Sequence, residues 1–595
     1  MKNVIILILI LFNNMNFAQT GIKLHGTVKD ENNIPLQYVN VFILNSFEGS
    51  MTDENGNFSF LTKQKNKIEL IAGMVGYKKY SVSIELNNLN DNSINIVLQN
   101  NAISTNEVIV TASSFGSEKG KGVVMTSIDV LTTPGGAADI FQALKTMPGL
   151  TPVSESAQLY VRGGDPIETL TLLDQATLYH PYTYESSYGG LFSNINSENI
   201  IGMYFSSGGF SAKYGNALSG VLDLKSNNEP LKSLYKIGLS MASAEINAST
   251  PIFNDKLGFR FSARNSFTEP VFWLNGKNSS FTNQPSSKDF TSNLIYKYSL
   301  TGRLKTIFSY ATDKQGVIIN QPGYTDEFKG NSNNYIINTQ ISDLLFNNLV
   351  VKTSISFSEF NRKWQLGLLD LDKIDNNLKL RSDFEMPFQP FKLNMGYEIE
   401  NRNTSFIGII PIEDYDMRKN GQAKVINSTF GITRYGLYIE TEVPNVFNII
   451  GLSVIAGIRS DNIPKLKIYT LDPRANIGYK INDKVSIAFG CGLFHQHPDP
   501  RLYSPIDGNP SLKSMQSIHL VSSLNYSFSE RDEFRVEFYY KKYNNLPLED
   551  NNLFYNNKGF GFAKGIDIIV KGILFNKIDS YFVWVYYNQT KMDGL

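Results

Sequence analysis

The chain is 595 residues long, and its 55 Lys+Arg are matched by 55 Asp+Glu. Charged residues make up 18% and aromatic residues 12%, against roughly 25% charged in an average soluble protein. Zero net charge excludes a general electrostatic grip on nucleic acid, the single cysteine, Cys491, excludes an intrachain disulfide or cysteine-based metal site, and the length excludes one ordinary domain.

The N-terminus reads as an export signal. Lys2 precedes an unbroken apolar run from Val4 to Phe12, and Asn16-Phe17-Ala18 stands before Gln19. This pattern predicts a signal peptide over residues 1–18. No cysteine follows, so no lipoprotein anchor is expected. No later stretch offers about 18 apolar residues in a row, as a membrane helix requires. An exported chain of this kind is released, lies on a membrane, or crosses one as a closed barrel.

Residues 22–99 hold short alternating runs, such as Val39, Val41, Ile43 and Val82, Ile84, Leu86, separated by turns at Asp30–Asn33, Asp53–Asn57 and Asn87–Asn92. Several short strands with regular turn signals predict a small Ig/transthyretin-like β-sandwich. His25 stands alone and is read as a surface or core residue rather than a ligand. Gly26-Thr27-Val28, Pro35-Leu36, Val39-Asn40-Val41, Thr52-Asp53, Asn55-Gly56, Phe58 and Gly76-Tyr77 resemble the carboxypeptidase-regulatory-like domain. That module is non-catalytic in the enzymes that name it and often precedes Bacteroidetes-type outer-membrane receptors.

Residues 100–228 are mixed in pattern. Ile140, Phe141 and Leu144 give helical spacing over Ala137–Met147, and Pro148-Gly149 stops it. Strands are expected at Leu159–Arg162, Thr169–Leu173, Ile200–Phe205 and Gly220–Leu224, with glycine-rich turns between. These turns lack a P-loop lysine or a dinucleotide-binding G-x-G-x-x-G, so no nucleotide is expected. The segment is a compact α+β domain.

Residues 229–595 alternate with period two. Phe534, Val536, Phe538 and Tyr540 interleave with Arg535, Glu537, Tyr539 and Lys541; Phe391 to Glu400 behaves likewise, as does the run from Val485 to Leu493. Such alternation places apolar and polar side chains on opposite faces of a sheet. Short turns at 251–256, 300–303, 344–349, 386–391, 444–451, 481–484, 529–532 and 574–578 recur roughly every 45 residues. Between them the sequence suggests two strands and a longer Asn/Ser-rich loop, the layout of an antiparallel transmembrane β-barrel with aromatic girdles. Eight turns imply about sixteen strands.

Motifs then point to a family. Asn106-Glu107-Val108-Ile109-Val110-Thr111-Ala112, the helix end at Ile140–Gly149, Tyr160-Val161-Arg162-Gly163-Gly164, Thr171-Leu172-Leu173-Asp174, and Ser207-Gly208-Gly209-Phe210 through Tyr214-Gly215 to Gly220–Leu224 resemble, in order and spacing, the plug of TonB-dependent receptors. Pro473–Asn476 and Asn509–Lys513 resemble barrel motifs of the same family. The resemblance implies a fold that is mainly β: a sandwich at 22–99, a plug at 100–228 and a transmembrane barrel at 229–595. The family barrel has about 22 strands, so about sixteen would be an incomplete barrel lacking its C-terminal strands.

The resemblance also implies roles. TonB, the inner-membrane energy transducer, would pair with Glu107, Val108, Ile109, Val110, Thr111 and Ala112 by strand addition. Arg162 and Gly163 would tie plug to barrel, a guanidinium meeting a barrel carboxylate. Tyr179, His180, Tyr182, Tyr184 and Tyr188 are candidates for substrate contact, since amphipathic rings suit planar or amphipathic ligands. His495, His497 and Asp499 are candidate metal contacts, but Pro498 and Pro500 break the strand spacing that a shared site needs. No nucleophile elbow or zinc-protease motif is present, so no enzyme, metal or cofactor is expected. The expected function is energised import of a scarce nutrient, such as a metal chelate, glycan or peptide, across the outer membrane. The N-terminal domain would lie in the periplasm. Outer-membrane lipid surrounds such a barrel, and a surface lipoprotein is a further candidate partner. The alternative is a surface-binding or signalling receptor without transport.

Overall fold

The computed structural model describes residues 22–99, 123–125 and 139–592, except for short stretches within them that include 75–79, 87–92, 151–155, 186–189, 275–280 and 529–532. The export signal, the segment Glu107–Ala112 and Tyr188 lie outside the described residues. The chain forms two compact units, one ending at residue 107 and the other beginning at 108.

The first unit is a β-sandwich. One sheet has the order Asn57–Thr62, Ile22–Asp30, Ile94–Leu98, and the other Gly49–Met51, Asn40–Ile43, Lys67–Gly73, Tyr80–Glu85. Leu24 and Val28 on one sheet share a core with Val41 and Leu70 on the other. The turn at Asp53 explains the hairpin entry. Its carboxylate accepts from the Asn55 and Asn57 amides at 2.9 and 2.8 Å, an Asx-type turn. Gly56 then takes φ +74 where a Cβ would overlap the Val28 carbonyl, so a side chain is excluded.

The second unit begins with the plug. Its five-stranded sheet has the order Ala176–Thr177, Thr169–Leu173, Gly220–Ser226, Ile200–Ser206, Val123–Met125. The expected helix is shorter than its spacing suggests, Ile140–Leu144. Asp139 caps it, accepting from the amides of Phe141 and Gln142, and the chain tightens past Leu144 with Met147 N–H bonded to the Leu144 carbonyl. The strand expected at Leu159–Arg162 is absent. Val161 makes only isolated bridges to Leu150 and Gly164, because Arg162 and Gly163 take φ +46 and +77 and turn the backbone sharply.

The rest of the unit is one sheet of seventeen strands, each antiparallel to the next in chain order, from Leu234–Leu239 to Ile578–Met592. Strands on both sides of all eight expected turns pair directly. The seventeenth strand is Leu234–Leu239, which precedes the first of those turns. Among the described residues the first and last strands each have one neighbour.

An expected longer loop follows the strand Val485–Gln496, over residues 497–514, whereas strands Arg303–Gln321 and Tyr324–Leu345 leave only two residues between them. The polar stretch Gly330–Asn334 lies inside the 22-residue strand Tyr324–Leu345, laddered to Ala311–Gln315 on one side and Phe360–Trp364 on the other. Polar side chains do not end a strand when backbone partners continue on each edge. At about 3.4 Å per residue and a tilt near 45°, such a strand rises roughly 50 Å, about twice the apolar band of an outer-membrane barrel. The hairpins therefore project well beyond the band at the end opposite the short turns.

The alternation is inverted relative to a water-soluble sheet. Arg434 is 4% exposed, whereas Leu437 and Ile439 on the same strand are 62% and 46% exposed. Charged side chains point into a lumen that the plug fills, and apolar ones point out. Aromatic residues gather where the outward face meets the short turns, at Phe388, Phe391 and Phe528.

Candidate ligand cavity and plug contacts

Arg162 is the most enclosed charge on the plug. It is 2% exposed. Its Nη2 donates to Glu537 at 2.5 Å and to Asp567 at 2.7 Å, and its Nε donates to Asp567 at 3.1 Å. The guanidinium also lies 4.4 Å from the Tyr539 ring centre. Burial disfavours its charge, but Asp567 and Glu537 more than compensate and hold the group protonated. Gly163 beside it has no room for a side chain, since a Cβ there would meet Gln589 and Ala563.

Other plug contacts are polar as well. Glu440 accepts from the Ser211 hydroxyl and the Ala212 amide. Gln175 donates to Asp383 at 2.8 Å. Lys541 Nζ donates to the Ser219 carbonyl at 2.7 Å. His519 Nε2–H donates to the Leu218 carbonyl while its Nδ1 accepts from the Gly209 amide, which assigns the neutral Nε2–H tautomer. Lys591 pairs with Asp165 and Glu168.

Sequence reasoning missed these lumen residues. A usable signal was present: acid–base pairs two residues apart on alternating strands, at Arg381/Asp383, Arg459/Asp461, Asp472/Arg474 and Arg535/Glu537. Spacing of two puts both charges on one face, and all four form ion pairs at 2.7–3.1 Å.

A cavity of about 250 Å³ lies between the plug segment Thr177–Tyr182, Lys373 and Arg402 of the sheet, and Gln496–Asp499. Tyr179 lines it with its ring under the Arg402 guanidinium, 3.9 Å away. His180 lies stacked on Phe360 at 3.8 Å, with Nδ1 3.0 Å from Glu185 and Nε2 3.2 Å from Asp375. Tyr182 packs on Phe141 at 4.9 Å. Tyr184 is buried away from this lining, at φ +56. Burial pushes the Tyr179 and Tyr182 phenols up, so both are neutral donors. Burial opposes the Glu185 charge, but His180 and Arg362 outweigh it and lower its pKa.

Charges around the cavity are already paired. Arg402 binds Asp375 and Asp499 at 2.5 and 2.8 Å, and Arg362 faces Glu185 at 3.4 Å. The three candidate metal contacts serve other partners. His495 Nδ1 meets Asp472 at 2.5 Å, Asp499 caps the turn Pro500–Tyr503, and His497 Nδ1 is hydrogen-bonded with the Ser514 hydroxyl at 2.9 Å. Burial pushes the His497 imidazole down to about 4. The segment from His497 to Ser514 folds inward, with Leu502, Tyr503 and Leu512 packed on Phe430 and Tyr555.

Residues 24–110 match the CarboxypepD_reg-like domain, and residues 119–221 match the TonB-dependent receptor plug domain. No curated protein matches the chain. Among solved structures, a ferric enterobactin receptor of Pseudomonas aeruginosa is similar with a TM-score of 0.60 at 14% identity, over 78% of this chain and 79% of that one. The siderophore receptor PirA of the same organism gives 0.58 at 14% identity, over 79% and 85%. The alcaligin outer-membrane receptor FauA of Bordetella pertussis gives 0.59 at 12%, over 80% and 81%. At these identities the likeness is one of fold. The chain therefore carries a CarboxypepD_reg-like domain and, after it, a TonB-dependent receptor plug domain, and it shares the fold of these outer-membrane receptors.

Proposed function

We propose that the chain is a non-enzymatic importer that takes up a scarce nutrient through its plug, driven by TonB acting on Glu107–Ala112 from the periplasm. The observation that supports this reading is the chemistry of the plug's seat. The plug's main apolar core, around Phe141, Phe205 and Leu222, takes in only Ile307 of the sheet among its buried members. Smaller apolar clusters join Phe210 to Phe494 and Leu218 to Met515 and Tyr543, and other contacts with the lumen wall are hydrogen bonds and ion pairs. Water entering the lumen can replace such contacts one by one, so a pulled plug can shift without unfolding its core.

A ligand in the 250 Å³ cavity would touch plug and wall together. Binding would thus be felt by the plug through Tyr179, His180 and Tyr182, and Arg162 would serve as the tie between plug and the last strands. The relatives named above are siderophore receptors. In this cavity the cations are neutralised by their own carboxylates, and a metal chelate, glycan or peptide would be recognised by hydrogen bonding and ring contact.

Uptake of candidate ligands by cells with and without TonB tests the proposal. Import should stop without TonB, and also when residues 107–112 are deleted while surface binding persists. Uptake unchanged by both would overturn it. Binding with no uptake in any strain would favour the surface receptor.

A further inference from the structure

The outward face of the sheet carries a polar notch of about 360 Å³, lined by Asn401, Asn403, Gly431, Thr433, Tyr435 and Lys465. Its origin is a difference in strand length. Strands Phe391–Pro411 and Ala423–Val443 each run 21 residues, but the next hairpin turns at Pro464–Leu466 after a strand of only 12. The short hairpin's tip leaves a step beside its taller neighbours.

The lining side chains of Asn401, Asn403, Thr433 and Tyr435 point away from the lumen. Asn401 pairs with Thr433 in the ladder, and Asn403 with Gly431, while the intervening Arg402 and Arg434 point inward to Tyr179 and Glu398. Period two therefore puts the notch on the lipid side.

Height decides what meets it. Asn401 stands ten residues from Phe391, where the strand leaves its short turn. At about 3.4 Å per residue and a tilt near 45°, that is roughly 24 Å, close to the ~25 Å apolar band. Tyr397 and Ile399 below it are outward and apolar. The notch thus opens where acyl chains give way to headgroups, at the end of the barrel away from the short turns, which is the outer leaflet.

We propose that this notch is a lateral binding site for the phosphorylated sugar headgroup of an outer-leaflet glycolipid. The chemistry fits on three counts. Asn403 donates to Asn401 and Asn401 to Thr433, both at 2.8 Å, which lines up amides and a hydroxyl with unused donor and acceptor capacity for sugar hydroxyls. Tyr435, 44% exposed, offers a ring for the flat face of a sugar. Lys465 spends one ammonium donor on the Gly431 carbonyl at 2.8 Å and sits 3.9 Å over the Phe430 ring. Among the described residues no carboxylate is paired with it, so its charge is available to a phosphate. Lys467 on the same tip adds a second positive charge, and residues 463–468 contain no acid.

The test uses the full-length protein in detergent, titrated with deep-rough lipopolysaccharide or with phosphatidylglycerol and read by native mass spectrometry. One lipopolysaccharide should be retained per chain in preference to phosphatidylglycerol. Lys465→Glu should weaken that retention by roughly tenfold, and Asn403→Leu should do so without altering phosphatidylglycerol binding. Heat-modifiable electrophoretic migration checks folding. If Asn403→Leu fails to fold, Lys465→Gln at the exposed tip carries the comparison alone. Equal retention by wild type and variants, or equal retention of the two lipids, would overturn the proposal.

Discussion

The N-terminal sandwich and the plug-filled sheet share a two-residue rhythm and use it in opposite senses. In the strand Ile22–Asp30, Leu24 and Val28 are buried while Lys23 and Lys29 are exposed. In the strand Ala423–Val443, Arg434 and Glu440 are buried while Leu437 and Ile439 are exposed. Alternation says only that a sheet has two unlike faces. The solvent on each side decides which face is inside. Water outside drives apolar groups in, and lipid outside leaves the charged groups to pair around the plug.

That contrast can be broken first at its charged core. Arg162→Ala leaves Asp567 buried without its cation and Glu537 with Arg535 alone, and removing one partner of such a set costs about 3–5 kcal/mol. The expected outcome is a plug–barrel unit with a lower unfolding midpoint in urea, largely restored when Asp567→Asn is added. No loss of stability in Arg162→Ala would mean that the carboxylates are solvated rather than paired.

In the sandwich, where apolar groups hold the fold, Leu70→Ala should cost about 3 kcal/mol through cavity formation. Leu70 is 0% exposed. Thermal unfolding followed by a probe in the N-terminal unit reads the effect, and the barrel transition should stay where it is.

Next comes a charge on the outward face. Ile439→Arg should destabilise membrane-inserted protein by about 2–3 kcal/mol, measured by refolding into bilayers. Ser83→Arg, on an exposed sandwich position, should change stability by less than about 0.5 kcal/mol. Similar costs at both positions would dissolve the distinction between the two sheets.

The smallest expected effect concerns pH. His497 has a pKa near 4 in the folded chain, below its ordinary 6.5. Its contribution to holding the inward-folded segment 497–514 is complete above pH 6.5 and is lost as pH falls toward 4, because a released imidazole takes up a proton that the buried one refuses. Hydrogen exchange in this segment should accelerate over that window, and His497→Gln should flatten the response.

Much of the architecture was legible because its physics is local. Turn chemistry and period-two alternation are written into short windows, and strands pair across each of the eight turns so read. Two features were not. The polar stretch Gly330–Asn334 has the composition of a loop, whereas it is held as strand by its partners on both flanking strands. The strand Leu234–Leu239 gave no turn signal on its entering side. At the candidate site, the glycine-flanked Arg162 stood out and Glu537 carried the spacing-of-two signal with Arg535, but nothing local tied Glu537 or Asp567 to the plug. Which of the tyrosines from 179 to 184 line the cavity depended on backbone turns such as the φ of +56 at Tyr184, and these have no sequence marker.

The partners of Arg162 lie 375 and 405 residues downstream. Each neighbouring strand pair can zip as soon as its hairpin exists, so the sheet grows by local steps in chain order. The plug, made first, must wait with its guanidinium unpaired until strands Glu533–Asp550 and Phe554–Leu574 arrive. Docking of the plug is therefore a late event in biogenesis, and substitutions at Arg162 should delay the final maturation step while leaving the earlier zipping rates untouched.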